Sequence, residues 1–389
     1  MLRSFIKKNQ REGMNMETIL FSKTDKIKIV TFAAVAFGLP WLLLPQIRVE
    51  GILAYDIPAS YMMILPTFGI ILGRIICERK IHGWFHWIYT IAFIESTAVM
   101  VLCAAKVITG KAADDMLTVS SMALSIVLLL GRMIDEQELY PFKDLKKAIG
   151  IYIMFVAIAQ ISNLPQLIHA GALRTADEIV SNLLFAPIDI FVVQSIYFFG
   201  EEYAWRGCLQ GRLQNIFGKR MGVILLGIIW ELWHMPLWFQ ISEPGQGKLI
   251  VLLVLMRMPY VIALAVFFGW AYMKTNNIWL CVLLHGVNNA AGAAFDSDLV
   301  TVADTVESVS VFDGIMTAVA VIVMLLFLFT KEYRKYESSW LCRKSLRVFK
   351  KHLSGRKIEN NAAREEHRNG TVYSQKQCSG GVSGMRKMF

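Results

Sequence analysis

Residues 184–210 read LFAPIDIFVVQSIYFFGEEYAWRGCLQ, and their reading decides the fold. The first part is apolar enough to begin a membrane crossing, which takes ~20 apolar residues at ~1.5 Å of rise each. The helix signal does not stop where the charges begin. No proline interrupts the passage from Ile196 on, and Glu201, Glu202 and Arg206 follow at helical spacing. One long helix is therefore predicted, running to about Leu213 and carrying ionisable groups into the membrane or its boundary.

The rest of the chain has the same character. Apolar residues make up 55% and charged residues 18%, with a mean hydropathy of +0.48, which excludes an ordinary soluble domain of this size. The expected fold is all-α, a polytopic transmembrane helical bundle of about 10 spanning helices. They are placed at about 29–46, 58–77, 86–105, 117–131, 148–162, 184–205, 221–240, 249–271, 278–295 and 309–330. The first follows a polar leader without a small-residue cleavage site, so it reads as a retained helix. Four regions are expected: a basic cytoplasmic leader (1–28), a set of N-terminal membrane helices (29–183), a core that carries the polar motifs (184–330), and a basic tail (331–389) ending in a Gly/Ser/Asn-rich, disordered segment.

The net charge of +10 belongs to the tail, where residues 331–389 hold 15 Lys/Arg and 5 Asp/Glu. Beside a membrane, such a tail fits anionic lipid and cytoplasmic placement better than nucleic acid, and no nucleic-acid partner is expected. Basic residues in the loops agree. Arg79, Lys80, Arg132, Lys143, Lys146, Lys147, Arg206, Arg212, Lys219, Arg220 and Lys274 fall on the side of the termini. The loop around Asp296, Asp298, Asp304 and Glu307, on the other side, has none. The expected location is a bacterial plasma membrane with both termini cytoplasmic. The six cysteines show no C-x-x-C spacing and imply neither a disulfide framework nor a zinc ribbon.

Ionisable groups inside a membrane helix cost at least ~2.5 kcal/mol each near the centre, so each needs a partner or a function. Three clusters stand out. In the first, Glu202 and Arg206 are four apart and can pair, leaving Glu201 free on an adjacent face. In the second, Trp230-Glu231-Leu232-Trp233-His234-Met235-Pro236 places a histidine deep in the seventh stretch. Glu201 lies ~16 Å of helix from Arg212 and His234 ~18 Å from Gly222, so antiparallel neighbours would bring them to one depth. In the third, His285 and Asn289 share a helix face and could donate to an oxyanion. Each cluster alone is also explained by structure: an interfacial salt bridge, a histidine bonded to a neighbouring helix, an interhelical hydrogen bond. Arg74, Glu95, Asp189 and Arg257 read as packing pairs, and Glu231 has no assigned role.

Taken together, E-E-x-x-x-R, aromatic-x-x-x-H and H-x-x-x-N on successive membrane helices resemble the CPBP or Abi family, which includes the type II CaaX prenyl endopeptidases. The resemblance covers about residues 184–330. It implies an intramembrane endopeptidase in which Glu201 and His234 activate a water, His285 and Asn289 form the oxyanion site, and Glu202 and Arg206 support them. Members of this family are often named metalloproteases, and Glu201, His234 and His285 could supply three zinc ligands or act without metal. The second motif departs from the usual pattern in opening with Trp230 rather than Phe. The expected substrate is a membrane-associated peptide or protein. A non-catalytic membrane scaffold, a bacteriocin self-immunity protein of the same fold and, third, a transporter are the competing readings; no inverted repeat of the transporter kind is present.

Overall fold

The computed structural model describes residues 23–44, 56–79, 83–135, 139–169, 184–293 and 310–334, with side chains left aside at 23, 135, 162–169 and 291–293. Nearly all of the leader and all of the tail beyond Arg334 lie outside the described residues. Within them the chain is helical, and each of the ten expected stretches falls on a helix. These are α1 Thr24–Leu43, α2 Asp56–Glu78, α3 Gly83–Ala104, α4 Gly110–Ile134, α5 Leu145–His169, α6 Leu184–Phe217, α7 Lys219–Gln240, α8 Gly247–Thr275, α9 Ile278–Ala293 and α10 Val311–Phe329. Among the described residues, eight of them are long and apolar enough to cross a membrane, and the apolar part of α9 is short, Ile278–Ala290. A helix satisfies its own backbone groups, which is the condition for lying in hydrocarbon.

The exposure pattern is that of a bundle in lipid. Leu255, Ile91, Ile94 and Val251 point outward, whereas Glu201, Glu202, Arg206, Glu231 and His285 are sealed inside. Close helix contacts rest on small residues. A Cβ on Gly200 would lie 2.4 Å from the Met63 carbonyl oxygen, so α6 and α2 can approach only because this residue has none. Gly227 similarly admits the backbone of Ile262, and α7 packs more extensively on α8 than on any other element.

The long sixth helix extends as expected, to Phe217, but it is not regular. Two π-helical segments interrupt it, Ile190–Gln194 and Tyr203–Gln210. A π segment disturbs the ordinary backbone ladder, and here side chains from the N-terminal helices complete it. Ser125 of α4 donates to the Val193 carbonyl at 3.2 Å and accepts from the Ile196 N–H at 2.9 Å. Tyr89 of α3 donates to the Ile196 carbonyl at 2.9 Å, and Thr67 of α2 to that of Gly200 at 2.6 Å. The N-terminal helices thus hold the segment that leads into Glu201.

After α6 the chain reverses at Gly218, whose φ of +86° is left-handed and suits a residue without a side chain. Gly222 then packs on the backbone of Gln214, so α6 and α7 form an antiparallel hairpin. The first turn of the expected tail is also part of the bundle. Lys331–Arg334 is helical, and buried Tyr333 donates to the Val266 carbonyl at 2.8 Å.

Candidate active site

The hairpin sets Glu201 and the end of α7 at one depth, and Trp230 joins them. Its indole Nε1–H donates to Glu201 Oε2 at 2.8 Å, and the Trp205 indole donates to the same oxygen at 3.0 Å. Glu201 is 2% exposed. Two rigid donors on one carboxylate oxygen fix the plane of the group and leave Oε1 for a further partner. Trp205 is held in turn by Phe32 and Phe37 of α1 and by Trp233 of α7, which meet it edge-on. Trp233 donates to the carbonyl of Ala36, within the π segment Ala34–Gly38 of α1.

His234 sits where the helix of α7 breaks. Pro236 lacks an N–H, and the chain turns at His234 before a final helical turn begins at Met235. The His234 N–H bonds to Glu231, so the Trp230 carbonyl is open to the imidazole, whose Nδ1 lies 2.8 Å from it. A carbonyl only accepts, so Nδ1 carries the proton and the lone pair of the neutral ring is on Nε2. The ring packs among Trp230, Trp233 and Trp238.

Glu202 and Arg206 pair as their spacing predicts, with Arg206 Nε 3.1 Å from Glu202 Oε2 and both side chains fully buried. The guanidinium lies over the rings of Trp230 and Phe268, at 4.4 and 5.2 Å. The other oxygen of Glu202 accepts from His285 Nδ1 at 3.0 Å. His285 is 2% exposed and meets the Trp230 ring edge-on at 5.1 Å. Its remaining Nε2 therefore donates only in the imidazolium form, whose charge the Glu202 carboxylate balances.

Trp230 is thus the common neighbour of the three motifs: it bonds Glu201, stacks under Arg206 and touches His234 and His285. Asn289 lies one turn beyond His285, at the exposed end of α9, where its Oδ1 accepts from Asn288 at 3.2 Å. Glu231, which has no place in the motif pattern, is paired with Arg257 at 3.3 Å. Trp238 lies under that guanidinium, 4.6 Å away. Motif reading missed the indole donors Trp205 and Trp230. Trp205 is four residues after Glu201 and faces it by ordinary helix geometry, whereas the contact of Trp230 depends on the hairpin.

Among the described residues, no three or more His, Cys, Asp or Glu side chains are arranged to hold a metal ion. Glu201, His234 and His285, the residues that could supply zinc ligands or act without metal, each bond another partner (two indoles, the Trp230 carbonyl and Glu202), and each keeps an atom, Oε1 or Nε2, outside those bonds. As placed, the three do not form such a group.

No curated protein and no solved structure matches the chain. A family model does match the helices that carry this site. Residues 179–291 of the chain match the Rce1-like family, the type II CAAX prenyl endopeptidase Rce1-like proteins.

Proposed function

We propose that this integral membrane protein is an intramembrane endopeptidase that hydrolyses a peptide bond of a membrane-associated protein or peptide. The observation that carries the reading is the convergence of the three motifs on Trp230, together with the family match over the same residues. Glu201 Oε1 accepts a proton from water, and His234, with its Nε2 lone pair free, assists. The hydroxide attacks the scissile carbonyl, and when the tetrahedral intermediate collapses the C–N bond breaks and the proton held by Glu201 passes to the leaving amine. His285 and Asn289 donate to the oxyanion as it forms, so the site binds the transition state more strongly than the substrate. Glu202 and Arg206 are positioning residues: they hold His285 and the ring of Trp230.

The N-terminal helices 29–183 act in this reading as a brace for the core, and the basic tail binds anionic lipid on the cytoplasmic side, where both termini lie. Cleavage of a membrane-peptide library by the purified protein tests the proposal. Glu201→Gln and His234→Ala are each expected to lower kcat by roughly a thousandfold, within the range for loss of a catalytic base. Full activity of either variant would remove that residue from the mechanism. Wild-type protein that cuts nothing would overturn the protease reading. Addition of chelator decides whether zinc takes part, loss of activity restored by zinc being the positive result.

A further inference from the structure

Beside the oxyanion residues lies a chain of hydrogen bonds that no motif includes. Tyr260, on α8, donates its hydroxyl to Asn288 Oδ1 at 2.8 Å. Asn288 Nδ2 donates to Asn289 Oδ1 at 3.2 Å. A primary amide has one acceptor oxygen and one pair of N–H donors. With the phenol donating to its oxygen, the Asn288 amide has its N–H groups directed toward Asn289. Asn288 then holds the oxygen of Asn289 on its own side, which turns the N–H pair of Asn289 the other way.

We propose that Tyr260 and Asn288 are positioning residues that lock the Asn289 amide with its donors toward the substrate carbonyl. The inference deepens the protease reading and rests on it. Three features of the geometry support a role in orientation. Asn289 is exposed at the end of α9, and rotation about the last torsion of an asparagine is broad and nearly two-fold. Packing at such a place does not choose between the oxygen and the nitrogen. An amide oxygen turned toward a forming oxyanion repels it, whereas an N–H stabilises it, so the choice matters to the transition state and little to the fold. The bonds also run head to tail, hydroxyl to amide to amide, and each polarises the next where the surroundings are of low dielectric. Asn289 ends the series as a strengthened donor.

The relay predicts a particular dependence between residues. Loss of an oxyanion donor costs roughly 10²–10³ in kcat, and loss of its orientation alone costs part of that, so Tyr260→Phe is expected to lower kcat roughly tenfold. KM stays the same, because the amide acts on the transition state. Asn288→Leu, which removes the bond to Asn289, reproduces the loss. In the Asn289→Ala background, Tyr260→Phe has nothing left to orient and changes kcat no further.

The experiment measures kcat, KM and thermal stability of the full-length protein in proteoliposomes, with a peptide that the wild type cuts, for Tyr260→Phe, Asn289→Ala and the double variant. A loss in the wild-type background that vanishes in the Asn289→Ala background establishes the relay. An equal loss in both backgrounds overturns it, since Tyr260 then acts as a brace between α8 and α9. An unchanged kcat for Tyr260→Phe also overturns it and leaves the protease reading intact, provided that Glu201→Gln is inactive. A wild type that cuts no peptide overturns the protease reading and this inference with it.

Discussion

Among the described residues, two glutamate–arginine pairs lie within the membrane helices, and they are built differently. Glu202 and Arg206 belong to one helix, four residues apart, and neither side chain has any exposure. Glu231 and Arg257 join α7 to α8, and there the carboxylate is sealed while the guanidinium is 36% exposed. The first pair is part of a larger assembly, since the carboxylate also accepts from His285 and the guanidinium is covered by Trp230 and Phe268. The second leans on Trp238 and opens outward. A charge that can reach water or the headgroup region pays little when it loses its partner, and one that cannot pays in full. The closed pair should therefore be intolerant of either loss, and the open pair should depend on which member is removed.

The largest effect is expected at Arg206. Arg206→Leu leaves Glu202 buried with only His285 as partner, a loss of about 3–5 kcal/mol on the scale of broken buried pairs. Thermal denaturation in detergent should show it, and peptide cleavage should be lost as well. The double variant Glu202→Met/Arg206→Leu sharpens the comparison. It removes both charges, so stability should return toward that of the wild type, while cleavage stays absent because His285 has lost its anchor. A double variant as unstable as Arg206→Leu would mean that the assembly, and not the unpaired charge, sets the cost.

Arg257→Leu is expected to come next, at about 1–3 kcal/mol, because it takes the charge partner from the fully buried carboxylate of Glu231 but leaves the first pair untouched. Cleavage should persist in this variant below its lowered melting temperature. Loss of cleavage without loss of stability would break the distinction between the pairs and give Arg257 a part in the reaction.

The first pair was legible in the sequence and the second was not, for a geometric reason. Residues four apart on a helix must meet, so Glu202–Arg206 follows from the spacing alone. Glu231–Arg257 depends on how α7 packs against α8, and no local rule supplies that. The same division runs through the molecule. The ten helices are legible because apolar length is a local property, and the common depth of Glu201 and His234 follows from counting residues to a turn. The π segments at Ile190–Gln194 and Tyr203–Gln210 are not legible, since Ser125, Tyr89 and Thr67, which serve the first and the stretch after it, lie far away in the chain. Trp205 was within reach of the spacing rule but reads as packing until its indole is seen against Glu201. The bond from Tyr260 to Asn288 spans two helices and has no local signature at all.

The smallest effect is expected on the other side of the open pair. Glu231→Gln keeps the shape of the side chain and an oxygen that can accept from Arg257, so the hydrogen bond survives while the negative charge is lost. What remains unbalanced is the guanidinium, and it is the exposed member: it lies over the Trp238 ring and can turn outward. The cost should be about 1 kcal/mol or less, in line with a neutral hydrogen bond replacing a charge-assisted one. Melting temperatures of Glu231→Gln and Arg257→Leu, measured side by side, give the asymmetry directly. Equal losses would mean that Arg257 is as confined as Arg206, and the two pairs would then differ only in which helices they join. A much smaller loss for Glu231→Gln would show that exposure of one member, at 36%, is enough to release an intramembrane pair from mutual dependence.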